Sequence, residues 1–527
     1  MVVVEFAYED MKRLVDLPRE RMVDSLNELG APAEYEKEVG KIIAELTPNR
    51  PDWYSMEGLA RALKAYHGKE RPAYKAKKSG YKVIVDSSVK KLRPYTVCAV
   101  VKGVGFDDQR IKDMVLLQEK LLGTLGRRVK KFGLGIYPLR AIRFPVHYTS
   151  MKPGEIRYVP LGSEKEMSAD DILKEHKKGL EHGHILKGFE RYPVYADADG
   201  KIMALIPVVN SAQTGKVDES TKDLFIEVTG TGLHACQAAL NILVCTFIDM
   251  GGEAYTVQVD YGKEKIATPD LSDREMGFDL DWANKLLGLS LKEKEAAGLL
   301  SRMGYVYKRG NVYVPPYRAD ILGEIDIIED LAIAYGYNNF KPTLPDFFNP
   351  GEAIRKNDGL GETLVGMGFM EVKTFILTNK EKLEMVGAAE GVVEISNPST
   401  VDYTIVRPNL LVDMLETFKI NKMKGLPQRF YEIGIVHDGK KASEMLIFGV
   451  MDKKLDFSTV RGYLQTLCTE KGWTMELSKK ESKAFDKEIS CAVLIDGKEG
   501  GMFGKIDPEL AKRMGLGFDI YLCELRL

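Results

Sequence analysis

Cysteine is scarce in this chain: six in 527 residues, Cys98, Cys236, Cys245, Cys468, Cys491 and Cys523, no two of them in a CxxC spacing. That excludes a disulfide scaffold and a thiolate cluster, and suits small buried hydrophobes in a reducing compartment. Histidine is thin as well, and the closest group, His176, His182 and His184, has no further ligand nearby in sequence, so zinc is not expected. No apolar run is long enough to span a bilayer, and no charged, apolar, small-residue leader opens the chain. The expectation is a cytoplasmic protein without a membrane role. A dominant charge sign is missing too, the net charge being -2, so no global positive field draws RNA. Nucleic-acid contact must come from local patches or from a partner. What is present, 44% hydrophobic and 29% charged residues, is ordinary for globular protein, and the length calls for three or four domains.

The most chemically loaded run is residues 313–340, YVPPYRADILGEIDIIEDLAIAYGYNNF. Pro315 and Pro316 hold the approach extended. Ile325, Ile328, Leu331, Ala332 and Tyr335 then recur at helical spacing, and Gly336 suits a left-handed stop, so a helix is expected over 323–335. Asp326, Glu329 and Asp330 share one helical face, with Asp320 just ahead. Spacing alone leaves two readings open: a solvated acidic face, or a hard-cation site of the kind Mg²⁺ shares between a few carboxylates and another component.

Residues 1–75 open with the alternating VVVEFAY, continue through a helix near residues 18–29 and the strand KIIAELT, and reach TPNRPDWYSMEGLARALKAYHG. Here Asn49, Arg50 and Asp52 read as a structural turn with the arginine tied to a carboxylate, and Asp52 or Ser55 as a helix cap. Residues 69–78 are lysine-rich and linker-like. From 80 to 258 strands and helices alternate as an α+β domain, with helices expected over 107–122 and 233–250. Arg127, Arg128, Lys130 and Lys131 form the densest local patch for an RNA backbone, the alternative being a solvated loop. Gly230, Gly232 and Ala235, with Asp260 further on, imitate a dinucleotide fingerprint, but no run of βαβ units precedes them. Residues 265–342 hold two helices, a hairpin around Gly310-Asn311, and the acidic run. From 343 to 527 come a helix over 353–367, the strands MEVKTFILT and RFYEIGIVHDG, a helix from Phe457 and a final strand YLCELRL.

Several motifs together resemble the beta subunit of phenylalanine-tRNA ligase in its archaeal and eukaryotic form. They are PPYRAD leading to DIIED and YGY, TPNRPDWYSMEG near the start, and RPYTVCAVVKGVGF through HILKGFERYP to FIEVTGT. The resemblance implies an α+β multidomain fold: an N-terminal α+β domain (1–75), an α+β editing domain (80–258), a winged-helix-like domain (265–342) and a degenerate class II synthetase-like antiparallel sheet domain (343–527). It implies Mg²⁺ shared with an alpha subunit through Asp320, Asp326, Glu329 and Asp330. It also implies an α2β2 assembly with tRNA(Phe), in which alpha uses ATP to charge phenylalanine.

A pocket built for phenylalanine cannot strongly exclude tyrosine, so a second site must hydrolyse the wrong product, and it should hydrogen-bond the phenol. Glu227 is the expected acceptor, with Asn210, Ser211, Thr229 and Thr231 orienting the ester or a water. In the C-terminal part GGMFGKIDPELAKRMG places Lys505 and Asp507 where an ATP-holding arginine belongs, and leaves Arg513 far along the helix. Arg407 and Arg429 alone should not stabilise transferring phosphates. The alternatives are a free-standing aminoacyl-tRNA deacylase and a nucleotide-binding oxidoreductase using Gly230 and Gly232.

Overall fold

A computed structural model of the chain describes residues 2–344, 351 and 359–527. The chain divides into two compact units, 1–344 and 345–527.

In the first unit, strands Val2–Ala7, Lys41–Leu46 and Ala33–Glu36 make a small antiparallel sheet. Helix Met56–Tyr66 follows the TPNRPD turn, capped by Ser55 Oγ accepting from the Gly58 amide. Arg50 grips Asp52 with two hydrogen bonds of 2.9 and 2.8 Å, the tie expected from the sequence. A helix at Tyr8–Val15 was not expected; it buries Met11 and Val15, one turn apart.

The centre of this unit is an 11-stranded mixed sheet that curls over on itself. Strand Leu224–Gly230 lies between Tyr95–Lys102 and Phe132–Pro138, antiparallel to both. One face of these strands, with Val97, Ala99, Ile226 and Val228, packs on the apolar helix Leu233–Asp249. The other face carries Cys98, Val100, Tyr137 and Phe225 toward Tyr148, Tyr195 and Met203 from distant strands of the same sheet. The alternation of side chains along each strand makes this division possible. The Tyr195 hydroxyl reaches Thr96 Oγ1, and a Cβ on Gly133 would stand 2.5 Å from Pro207 Cβ, so the two ends of the sheet nearly close into a roll. Gly230, first glycine of the dinucleotide-like motif, has a packing reason instead: a Cβ there would meet Lys131 O at 2.5 Å and Cys236 Sγ at 2.6 Å.

Between the helix Asp108–Gly123 and the strand Phe132–Pro138 the chain makes a left-handed turn, with Arg127, Arg128 and Val129 at φ 48°, 51° and 65°. Each such residue costs roughly 1–2 kcal/mol relative to the right-handed region.

Helices Leu280–Leu287, Glu293–Arg302 and Glu324–Tyr335 pack with a three-stranded sheet formed by Arg274–Gly277, Asn311–Val314 and Val306–Lys308. The hairpin turns through Arg309 and Gly310, both at positive φ, and Gly336 at φ 92° closes the last helix. One hydrophobic cluster runs from Val4 in the first strand through Leu240 to Leu331, so the opening sheet, the helix Leu233–Asp249 and the helix Glu324–Tyr335 share a core, while much of residues 137–209 packs in separate clusters.

The second unit is built on a seven-stranded sheet, in order Met370–Glu371, Gln428–His437, Ala442–Asp452, Asp519–Arg526, Lys498–Ile506, Phe485–Ile495 and Met475–Lys479. Every pairing is antiparallel except the first. Helix Leu411–Asn421 packs on one face of the sheet, and helices Leu360–Gly366 and Phe457–Glu470 on the other. Of the helix expected over 353–367, residues 353–358 lie outside the described residues. MEVKTFILT was expected as one strand and instead splits, Met370–Glu371 joining the large sheet and Leu377–Thr378 a separate three-stranded one.

Candidate functional site

The register of the roll sets Glu227 opposite Cys98 on one side and Gly135 on the other, facing the interior. Glu227 is only 1% exposed. The Tyr137 hydroxyl lies 3.1 Å from Asn210 Oδ1 and 3.4 Å from Glu227 Oε1. A phenol has a single proton to donate, so the two acceptors compete for it. Glu227 Oε2 and Thr229 Oγ1 are buried with no partner among the described residues. Burial pushes the Glu227 carboxyl up to about 8, the Tyr137 hydrogen bond and the Arg93 charge offsetting only part of the rise. At neutral pH it is a carboxylic acid, able both to donate and to accept. Gly135 is what lets the phenol reach it, because a Cβ there would stand 2.6 Å from the Tyr137 hydroxyl and 2.7 Å from Glu227 Oε1.

Three of the five expected residues, Glu227, Thr229 and Asn210, therefore come together at this interior. The other two hold backbone: Ser211 caps the short helix Ala212–Gly215 through the Gln213 amide, and the exposed Thr231 donates to Lys131 O at 3.4 Å. Sequence reasoning missed Tyr137 and Arg93. The signal for Tyr137 was the alternation in FGLGIYP, which puts it on one face with Gly133 and Gly135. Arg93 had no local signal; its buried guanidinium donates to Val129 O and Thr229 O, 36 and 136 residues away.

The acidic run forms the expected helix, but its carboxylates do different work. Asp326 Oδ2 accepts from the Leu322 and Gly323 amides at 2.7 and 2.9 Å, capping its own helix. Asp320 and Asp330 meet on the buried guanidinium of Arg318, which holds Asp320 through 2.9 and 2.7 Å bonds and Asp330 through one of 2.7 Å. Burial alone would push Asp320 up; Arg318 outweighs it and holds the carboxyl below its usual range. Tyr305 donates to Asp330 as well. Glu329 is exposed and, with Asp326, borders an open recess lined by Leu286, Ile325, Ile328 and Tyr337. Among the described residues no three His, Cys, Asp or Glu side chains converge as a metal centre. The shared helical face was legible; the arginine that neutralises half the set was not.

Two family models match the chain: the tRNA synthetase B5 domain over residues 276–337, and the phenylalanyl tRNA synthetase beta chain CLM domain over 343–527. The phenylalanine–tRNA ligase beta subunit of Archaeoglobus fulgidus is 35% identical, the match spanning 100% of this chain and 98% of that one. That of Methanococcoides burtonii is 34% identical over 100% of both. The chain belongs to the phenylalanine–tRNA ligase beta-subunit family. A crystal structure of an N-terminal fragment of the Pyrococcus horikoshii phenylalanyl-tRNA synthetase beta subunit aligns at TM-score 0.60 and 35% identity, covering 63% of this chain and 99% of the fragment. This is accordingly a subunit of a ligase, mixed α/β and multidomain like that fragment.

In the second unit of this beta-family chain, Arg407 is fully buried and committed to structure. It donates to Glu432 Oε1 at 2.9 Å, Thr374 Oγ1 at 2.6 Å and Ile435 O at 3.0 Å, with Asp413 at 3.4 Å. Its guanidinium is thus held by side chains and backbone of its own unit. Lys505 pairs with Asp519 at 2.7 Å, and Arg513 sits exposed at the end of its helix.

Proposed function

We propose that this chain serves as the beta subunit of a two-chain phenylalanine–tRNA ligase in an α2β2 assembly, acting in the cytoplasm. Alpha activates phenylalanine with ATP and transfers it to tRNA(Phe), and beta removes tyrosine attached by mistake. The commitment of Arg407 and the displacement of Arg513 support placing the ATP chemistry on the partner.

The observation that carries the hydrolytic role is a buried, protonated and under-satisfied Glu227 that already lies within reach of a phenol, that of Tyr137. A site built around such an acceptor distinguishes tyrosine from phenylalanine, because phenylalanine leaves the buried carboxyl unpaired. In this reading Glu227 Oε2 takes the substrate phenol, and Asn210 and Thr229 orient the ester or the attacking water. Ser211 and Thr231 fix the backbone around them.

Asp326 and Glu329 are the two carboxylates left to share a Mg²⁺ with oxygens of the partner, and such an ion would neutralise charge between the chains. Asp320 and Asp330 support them by anchoring the helix through Arg318. In the assembled enzyme, Glu227→Ala should let tyrosylated tRNA(Phe) accumulate while phenylalanine charging stays normal. Deacylation at the wild-type rate removes Glu227 from the site.

A further inference from the structure

The turn at residues 127–131 combines three features. Its backbone holds three consecutive non-glycine residues in the left-handed region, one of them the β-branched Val129, 2% exposed. Such a conformation persists only where the surroundings over-determine it. Here Val129 N donates to Leu122 O, Lys131 N to Gly126 O, and the buried Arg93 holds the Val129 carbonyl from below. Next, its cations are unengaged: Arg127, Arg128 and Lys130 are exposed, Lys131 is half-buried, and among the described residues none of their side chains has a hydrogen bond or an ion pair. Arg140 and Lys112, by contrast, hold Asp218 and Asp108. Residues 120–154 contain eight Lys or Arg and no Asp or Glu, in a chain whose net charge is -2. Finally, the turn is fastened to the strand that bears Glu227. The Arg93 guanidinium bridges the Val129 and Thr229 carbonyls, and the Thr231 amide donates to Lys131 O at 3.0 Å.

We propose that this turn is a rigid phosphate grip that seats the backbone of an aminoacylated RNA and sets its 3′ end toward the row of Glu227 and Thr229. The proposal rests on the hydrolytic reading of that row. Unpaired guanidinium and ammonium groups release counterions from phosphates whatever the base sequence, so the grip supplies affinity and register but no base readout. A backbone already locked by its own hydrogen bonds and by Arg93 loses little freedom on binding. Arg93 is a positioning residue, tying grip and site into one body.

The test uses the full chain assembled with its alpha partner, carrying Arg127→Gln, Arg128→Gln, Lys130→Gln and Lys131→Gln together. Affinity for an uncharged tRNA(Phe) transcript is measured across a series of salt concentrations, and deacylation kinetics with tyrosylated tRNA. With about 0.7–0.9 of log-log salt slope per phosphate contact, the slope should flatten by about 3 and KM for deacylation rise at least tenfold, kcat being unchanged. The Arg127→Gln/Arg128→Gln pair should give about half the change in slope, and Arg127→Lys/Arg128→Lys should keep the wild-type slope. An unchanged slope and KM overturn the proposal. So does a weakened alpha–beta association with tRNA binding intact, which would make the turn a protein interface. Glu227→Ala with a normal salt slope but undiminished deacylation would sink the hydrolytic reading alone, leaving the grip to stand or fall on the slope.

Discussion

Replacing Glu227 with glutamine keeps the side chain's shape and removes its titration, and the structure sets the size and sign of the consequence. Burial in the roll raises the carboxyl from 4.5 to about 8. Between those values the native chain holds a proton that the unfolded chain has released. Stability of the first unit therefore falls as pH rises from about 4.5 to about 8, by at most ~1.36 kcal/mol per pH unit and by about 4–5 kcal/mol in all. Glu227→Gln is free of that penalty. It should match the wild type near pH 4.5 to within about 1–2 kcal/mol, since its amide meets the same Tyr137 hydroxyl and leaves one polar atom unpaired, as the acid does. It should then gain steadily on the wild type up to pH 8 and hold that advantage above it. Hydrogen exchange of the amides in the Tyr95–Lys102 and Leu224–Gly230 strands reports the opening free energy of this sheet at each pH. A difference between variant and wild type that stays flat from pH 5 to 8 would refute the reasoning: Glu227 would then be ionised in the folded chain and the roll wetter than its packing implies.

Arg407→Ala leaves the buried carboxylates of Glu432 and Asp413 without their cation, so the 345–527 unit should lose about 3–5 kcal/mol, seen as a lower urea midpoint for that unit; a loss under about 1 kcal/mol contradicts the account. Arg318→Met does the same to Asp320 and Asp330 in the first unit. Because Arg318 holds Asp320 below its usual range, the stability it contributes is present above pH 4 or so and fades as acid titrates the depressed group, so the wild-type advantage over the variant should shrink on acid titration. Gly135→Ala forces a methyl against the Tyr137 hydroxyl and Glu227 Oε1, costing about 1–3 kcal/mol by thermal unfolding and slowing tyrosine removal more than phenylalanine charging.

Local chemistry made much of this molecule legible. The helix Glu324–Tyr335 followed from periodicity and its closing glycine, the Arg50–Asp52 clasp from two residues two apart, and the long helix Leu233–Asp249 from sheer apolar length. What escaped was made by distance along the chain. Arg93 meets Thr229 across 136 positions, and nothing around either residue announces the other. Arg318 stands beside Asp320 in sequence, yet only the folded helix brings Asp330 to the same guanidinium. The sequence GRRVKK has no Asn, Asp or interior glycine to suggest a left-handed turn, and its valine favours strands. MEVKTFILT reads as one strand by composition, but its two ends find partners in different sheets.

The single apolar mass that begins at Val4 and continues past Leu331 governs how this polypeptide can be cut. Trimming the first seventy-odd residues, or ending a fragment near 258, would strip one wall from a core whose remaining walls have no other cover. A truncation is therefore expected to leave the front part folded when it falls near residue 344, where the two units divide, and to unfold it when it falls near 75 or 258.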